Sequence, residues 1–239
     1  MRSGNPTLSE KTFQNLERSA SQEGAMTVSG TINKTGILFF ILMIGASISW
    51  YQPSQLFIWG GAIGGFIVAM VTVFKKEWSP VTAPLYAALE GLMLGGVSVM
   101  YEGAYSGIVY NAVMLTLGTF AVMLLAYRSG WIQVTKRFRM GVVAATGGIA
   151  LVYVASFILS FFGINLSLIH GDGLMGIGFS LIIVGVAALN LVLDFDMIER
   201  GAEANAPKYF EWYTSFGLIV TLVWLYLEML RLLSKLQNR

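Results

Sequence analysis

Four acidic residues lie within or at the ends of long apolar runs of this 239-residue chain: Glu90, Asp194, Asp196 and Glu228. A carboxylate at the depth of a lipid bilayer is unfavourable by several kcal/mol unless it is protonated, paired or hydrated. Each of these acids therefore needs a proton or a partner. The chemistry open to them is proton binding and contact with hard cations, which prefer carboxylate and carbonyl oxygens.

The sequence neighbours of the acids differ. Glu90 has no basic residue within one helical turn, so its partner must come from another helix. Asp196 precedes Arg200 by four residues, and an exposed ion pair within the helix, near the membrane interface, explains that spacing. Asp194 follows Asn190 by four residues, which places an amide and an acid on one stripe of an apolar helix. Such a stripe usually faces the interior of a helix bundle.

The last apolar run has a polar face. Its polar residues recur every seven positions, at Thr214, Thr221, Glu228 and Lys235. This spacing keeps them on nearly one side of a helix, with a drift of about 20° per heptad. A helix of this kind suits the centre of a bundle. Arg231 follows Glu228 by three residues, so a local salt bridge is the competing interpretation of Glu228.

Asp194 and Glu228 could approach each other inside such a bundle. Two carboxylates in a low dielectric cannot both ionise, so the pair would share one proton and act as a pH-dependent lock. The same oxygens could contact Ca²⁺ transiently.

The composition gives little support to other chemistries. The chain has no cysteine and one histidine, His170, so it offers neither a thiol nucleophile nor a multi-histidine zinc site. It has no phosphate-binding loop or dinucleotide fingerprint. The formal net charge of +2 is too small to argue for nucleic-acid binding. We therefore expect no enzyme, no resident metal or other cofactor, and no nucleic-acid partner.

The elements that carry these residues are apolar helices. Apolar residues make up 56% of the chain and charged residues 12%, roughly half the charged share of a soluble domain. A membrane-spanning helix needs about 20 mostly apolar residues. We predict seven, at Thr35–Trp50, Phe57–Phe74, Pro84–Tyr101, Gly107–Tyr127, Gly141–Phe162, Leu174–Asp194 and Thr214–Leu233.

Short connections favour antiparallel neighbours, so residues 35–239 are expected to form one seven-helix transmembrane domain behind a flexible polar tail, residues 1–34. Pro84 is expected before the third helix, and Gly163 is expected to end the fifth. Lysine and arginine fall in alternate loops, which places the N-terminus in the cytoplasm by the positive-inside rule. The basic residues at the end of the chain, on the opposite side of seven spans, disagree with that rule: Arg231, Lys235 and Arg239.

Two stretches resemble motifs of a known family. Leu193–Glu199, Leu-Asp-Phe-Asp-Met-Ile-Glu, is similar to the sixth-helix motif of the Bax inhibitor-1 family, the transmembrane Bax inhibitor motif proteins. Trp224–Leu233 contains Leu-Tyr-Leu-Glu, which is similar to the Leu-Tyr-Leu-Asp motif of the final helix. Met1–Pro6 and Ala188–Asp194 resemble a longer-tailed bacterial subgroup, and the resemblance covers most of the chain after the tail.

The resemblance implies a seven-helix bundle whose last helix is enclosed by the other six, and a pH-sensitive calcium leak across a bacterial inner membrane. Two acids control that leak, and Asp194 and Glu228 match their positions. This chain departs from the family pattern at three points. It carries Glu instead of Asp at 228, it has Asp196 where many members have Gln, and the connection between its two motifs is about two turns longer than in the family. Glu211 is therefore kept as a substitute partner of Asp194.

Two other functions compete with the leak. The first is a regulatory protein that binds other membrane proteins, such as a membrane protease, through its helices or its tail. The second is a proton-coupled secondary transporter, which ranks last because such transporters typically show internal repeats and interrupted helices.

Overall fold

Seven long helices dominate the computed structural model, which describes residues 24–163, 171 and 173–238. They are α1 (Val28–Tyr51), α2 (Gln55–Phe74), α3 (Ser79–Ala104), α4 (Ile108–Arg128), α5 (Lys136–Ser160), α6 (Leu174–Glu203) and α7 (Phe210–Gln237). All seven, with α3 taken together with the 3-10 turn Lys76–Trp78 before it, are long and apolar enough to cross a membrane. The predicted seven-helix transmembrane fold is confirmed.

The first helix begins earlier than the sequence predicts. Thr27 caps it, because its hydroxyl oxygen accepts a hydrogen bond from the Gly30 amide at 2.9 Å. The predicted tail is therefore wrong at its C-terminal end, since the residues from Val28 to Lys34 are helical. These residues are mostly polar and therefore resemble a tail in the sequence, yet Thr31 among them is buried. Residues 1–23 of the predicted tail lie outside the described residues, as does His170.

Other helix ends also differ from prediction. Pro84, expected before the third helix, lies inside α3. The backbone hydrogen bond that it cannot donate would have gone to the carbonyl of Pro80, in the first turn of α3, so one intrahelical bond is absent there. The fifth helix, α5, starts at Lys136, after its cap residue Thr135. It ends at Ser160, three residues before Gly163, where its end was expected.

Burial separates the helices into two groups. The buried share of the most apolar stretch is 17% in α2, α4 and α5 and 22% in α1, whereas it is 44% in α6, 50% in α3 and 56% in α7. The last helix is thus the most buried of the seven, as expected of a helix that the others enclose. The exposed helices carry the apolar surface that a bilayer would cover.

The chain is divided into two compact units. Unit 1 lies within Met1–Val97 and Asp196–Ile219, and unit 2 lies within Ser98–Phe195 and Val220–Arg239. The domain expected over residues 35–239 thus contains two units, and α3, α6 and α7 each contribute residues to both.

Glycines let α1 and α3 approach closely within unit 1. A Cβ atom added at Gly95 would lie 2.2 Å from the carbonyl oxygen of Ala46, and one at Gly91 would lie 2.3 Å from that of Leu42. Backbone atoms cannot move aside as a side chain can, so both positions require glycine. This contact agrees with the packing role that small residues have between membrane helices.

Candidate functional site

The polar face predicted on α7 is buried. Its four members are 2%, 8%, 2% and 3% exposed, at Thr214, Thr221, Glu228 and Lys235 respectively. Burial of all four confirms that the heptad spacing marks an inward-facing side of the helix. A helix carries polar groups there only where other groups bond to them or where they hold a proton.

Asp194 on α6 meets this face at Thr221, whose side chain hydrogen-bonds to the carboxylate. The second carboxylate oxygen, Oδ2, is buried and has no hydrogen-bond partner among the described residues. Leu191 and Val192, three and two residues earlier on α6, are also buried. The geometry is that of an acid held in an apolar interior by a neutral hydroxyl.

Asn190 continues the polar stripe of α6 by one turn. Its side-chain amide donates to the hydroxyl oxygen of Thr146 on α5 at 2.8 Å and to the carbonyl of Val186 at 2.9 Å. The stripe of Asn190 and Asp194 therefore makes bonds to both α5 and α7. This agrees with the predicted inward orientation of the stripe.

Glu228 has a different environment, with a base and a phenol. Its Oε1 accepts hydrogen bonds from the Arg231 guanidinium at 2.7 Å and from the Tyr153 hydroxyl at 2.8 Å. Arg231 also donates to the Tyr153 hydroxyl, and its guanidinium lies 5.2 Å from the centre of the tyrosine ring. The side chains of Arg231 and Glu228 are 32% and 3% exposed. The local salt bridge, the competing interpretation of Glu228, is therefore present.

The structure does not pair Asp194 with Glu228. Thr221, the partner of Asp194, precedes Glu228 by seven residues, or about 10.5 Å along α7. Glu211, the substitute partner, is also bonded elsewhere. Its Oε1 accepts from the Thr27 amide and hydroxyl, both at 3.0 Å, and from Lys208 at 2.8 Å. The two predicted gate acids are thus two separate groups, one with an ionic partner and one bonded to a hydroxyl.

The two remaining candidate acids, Asp196 and Glu90, lie in unit 1. Asp196 forms the predicted ion pair with Arg200, with 2.9 Å between Oδ1 and Nε. The pair is not the exposed one expected, because the Asp196 side chain is only 9% exposed while that of Arg200 is 55% exposed. Glu90 is buried beside Gly65, where an added Cβ atom would lie 2.7 Å from its Oε2. Within the described part of the chain, no hydrogen bond or ion pair of Glu90 is present.

The basic residues near the end of α7 are bonded to the protein. Lys235 is buried, and its ammonium donates to the carbonyl of Gly176 at 3.1 Å and to the hydroxyl of Ser180 at 2.9 Å. With Arg231 bonded to Glu228 and Tyr153, neither cation is a free loop charge. This explains why they disagree with a rule that counts loop charges.

Two partners in unit 2 were missed by the sequence reasoning, Tyr153 and Thr146. Their only signal is a hydroxyl in the middle of an apolar helix, which does not say what it bonds to. Over the residues that the structure describes, no group of three or more His, Cys, Asp or Glu side chains could hold a metal ion. Any cation contact at Asp194 or Glu228 would therefore need additional oxygens from carbonyls or water.

Comparison with known proteins identifies a family. A family model described as Bax inhibitor 1 like matches residues 5–238. No curated protein matches the chain, and no solved structure does.

Proposed function

Because the chain belongs to the Bax inhibitor 1 like family, we propose that this multi-pass membrane protein is a passive, pH-sensitive pathway for Ca²⁺ and related cations. It acts in a bacterial inner membrane, with its N-terminus in the cytoplasm. Asp194 and Glu228 are the gating and ion-contact groups, and α7 is the element that moves. The pathway is no enzyme and uses no resident cofactor.

The observation that carries the proposal is the environment of Asp194. Its carboxylate is bonded to the Thr221 hydroxyl and has a buried oxygen without a partner, Oδ2. An acid placed in a membrane interior without a base is a site that takes up and releases a proton. When it is ionised, its free oxygen can contact a passing cation; when it is protonated, that contact is lost.

Glu228 supplies the second part of the mechanism, an ion pair with Arg231 that depends on the charge of the carboxylate. The pair of Glu228 with Arg231 exists only while the carboxylate is ionised. Protonation removes the ionic attraction and leaves the Glu228 oxygen only the weaker hydrogen bonds from Tyr153 and Arg231. Acid therefore weakens the contact between α7 and α5, the helix that carries Tyr153, and we assign opening of the pathway to this step.

The test is a flux measurement on purified protein reconstituted in liposomes with a calcium dye inside. Influx is followed between pH 5 and pH 8 for the wild type, Asp194→Asn and Glu228→Gln. The exposed acid Glu77 supplies the matched control, Glu77→Gln. We expect Glu228→Gln to conduct more than the wild type at pH 8, because its contact with Arg231 is weakened while Asp194 is unchanged. Asp194→Asn should conduct weakly at every pH, and the control should follow the wild type.

A different result would favour another function. If wild-type vesicles are as tight as empty ones at every pH, the chain has no leak activity, and a regulatory role through binding other membrane proteins becomes the better explanation. If flux is present but its pH dependence survives in both variants, the acids Asp194 and Glu228 are not the gate.

A further inference from the structure

A second, separate feature lies in unit 1, where the residues before α1 hold the start of α7. Glu211, in the first turn of α7, is fully buried. Its Oε1 accepts hydrogen bonds from both the amide and the hydroxyl of Thr27, the residue that caps α1. The carboxylate thus lies at the N-terminus of a 24-residue helix, where the helix dipole stabilises a negative charge.

The chain before Thr27 adds a second set of contacts. The Met26 amide donates to the carbonyl of Ala206 at 2.7 Å, and Ala25 forms an antiparallel bridge with Pro207. The Met26 side chain is buried against Gly201, where an added Cβ atom would lie 2.8 Å from its sulfur. Residues 25 and 26 therefore pair with the connection between α6 and α7 as a short strand would.

One turn further into α1, a third contact repeats the pattern. The Ser215 hydroxyl donates to the carbonyl of Thr31 at 3.0 Å and accepts from the Thr35 hydroxyl at 3.1 Å. Ser215 is fully buried. Three successive levels of bonds, at Met26, Thr27 and Thr31, thus join one short segment to the start of α7 and to the connection before it.

We infer that Gly24–Thr31 is a releasable clasp, defined by these three levels of bonds, that fixes the position of the start of α7. Its strongest level is one carboxylate oxygen of Glu211, which accepts two hydrogen bonds from Thr27 and a third from the half-exposed ammonium of Lys208. The rest of the clasp is the backbone pairing of residues 25 and 26 and the hydrogen bond from Ser215 to Thr31. Displacing the Glu211 carboxylate therefore opens the clasp while the helices themselves stay folded.

Gly30 offers a substitution that does this. A Cβ atom at Gly30 would lie 1.9 Å from Oε1 and 2.3 Å from Cδ of Glu211. Since the obstructing atoms are the end of a flexible side chain, Gly30→Ala moves the carboxylate away and leaves the backbone in place. Gly36→Ala is the matched control in the same helix, because an added Cβ atom there meets nothing within 4 Å. Both changes raise helix propensity equally.

The absence of native cysteine makes thiol labelling a direct readout. Ala206, under the clasp, is buried, and Ala204, two residues before it, is exposed. We would measure the maleimide labelling rates of Ala206→Cys and Ala204→Cys, in the Gly30→Ala and Gly36→Ala backgrounds. Ala206→Cys should label at least about tenfold more slowly than Ala204→Cys in the wild-type and Gly36→Ala backgrounds, because a buried thiol reacts only when the site opens.

Gly30→Ala should raise the rate at Ala206→Cys about tenfold, the change expected from losing one charge-assisted hydrogen bond, and leave Ala204→Cys unchanged. Glu211→Gln, which keeps the side-chain shape, should raise it by a smaller factor. Equal rates at Ala206→Cys in all backgrounds would overturn the inference. So would faster labelling at a fully buried position of unit 2, Ala187→Cys, because the protein would then be unfolding as a whole. Neither readout depends on ion flux.

Discussion

The ion pair of α7 allows a quantitative test of how the buried face is stabilised. Arg231→Met removes the guanidinium from Glu228 and Tyr153 and leaves the glutamate carboxylate, 3% exposed, without its base. Removing one partner of a buried ion pair costs about 3–5 kcal/mol. The Arg231 side chain is 32% exposed, so water replaces part of the interaction. We therefore expect the free energy of unfolding to fall by about 2–3 kcal/mol, and Tm to fall by about 4–12 °C.

Removing the acid instead of the base should lower the free energy of unfolding by less. Glu228→Gln keeps an oxygen that can accept from the Tyr153 hydroxyl, and it leaves a cation that water can reach, so the expected loss is about 1 kcal/mol. In the double variant the uncompensated carboxylate is absent. Its destabilisation should therefore be smaller than the sum of the two single values by about 1–2 kcal/mol.

The assay is reversible denaturant unfolding of the four proteins of this cycle in one detergent at pH 7.5. Arg128→Met is the control, because Arg128 is exposed in the last turn of α4, and its loss should cost less than about 1 kcal/mol. Additive single effects, or an Arg231→Met variant as stable as the control, would refute the argument that Arg231 neutralises a buried acid.

Two further predictions concern the helices that position the site. Gly95→Ala places a Cβ atom 2.2 Å from the carbonyl of Ala46 and should lower Tm, whereas Gly103→Ala, which meets nothing within 4 Å, should leave it unchanged or raise it. Glu102→Ala removes the carboxylate that accepts from the amide of Gly107 at 2.6 Å, at the start of α4. It should cost about 1–2 kcal/mol in denaturant unfolding, and Glu102→Gln less; equal stability of all three proteins would contradict a capping role.

The sequence predicts the seven helices because a spanning segment must be apolar along its whole length, a property visible without any partner. It predicts the ends less well. The mostly polar stretch Val28 to Lys34 predicts a tail, although Thr27 caps a helix there and Thr31 within it is buried. Polar side chains at the start of a helix are either solvated or bonded to other parts of the protein, and composition does not distinguish the two.

The candidate site shows the same limit in another form. Spacing within one helix correctly predicts that Glu228 and Arg231 can bond, and that the heptad residues share one side of α7. It does not give the axial offset between two helices that are distant in the chain. Asp194 is therefore bonded to Thr221, about two turns before Glu228, and Glu228 is bonded to a tyrosine of α5 that sequence reasoning did not single out.

This offset changes how the acids should respond to pH. Two carboxylates in contact share one proton, so a change at either one would alter both. Here about 10.5 Å of helix separates the level of Asp194 from Glu228, and only Glu228 has a base bonded to it. In the proposed pathway, a proton taken up by Asp194 would neutralise an ion-contact site, whereas a proton taken up by Glu228 would remove its ionic attraction to Arg231. Because the two events act on different contacts, their effects on flux should be of opposite sign and should combine nearly additively in the Asp194→Asn, Glu228→Gln double variant.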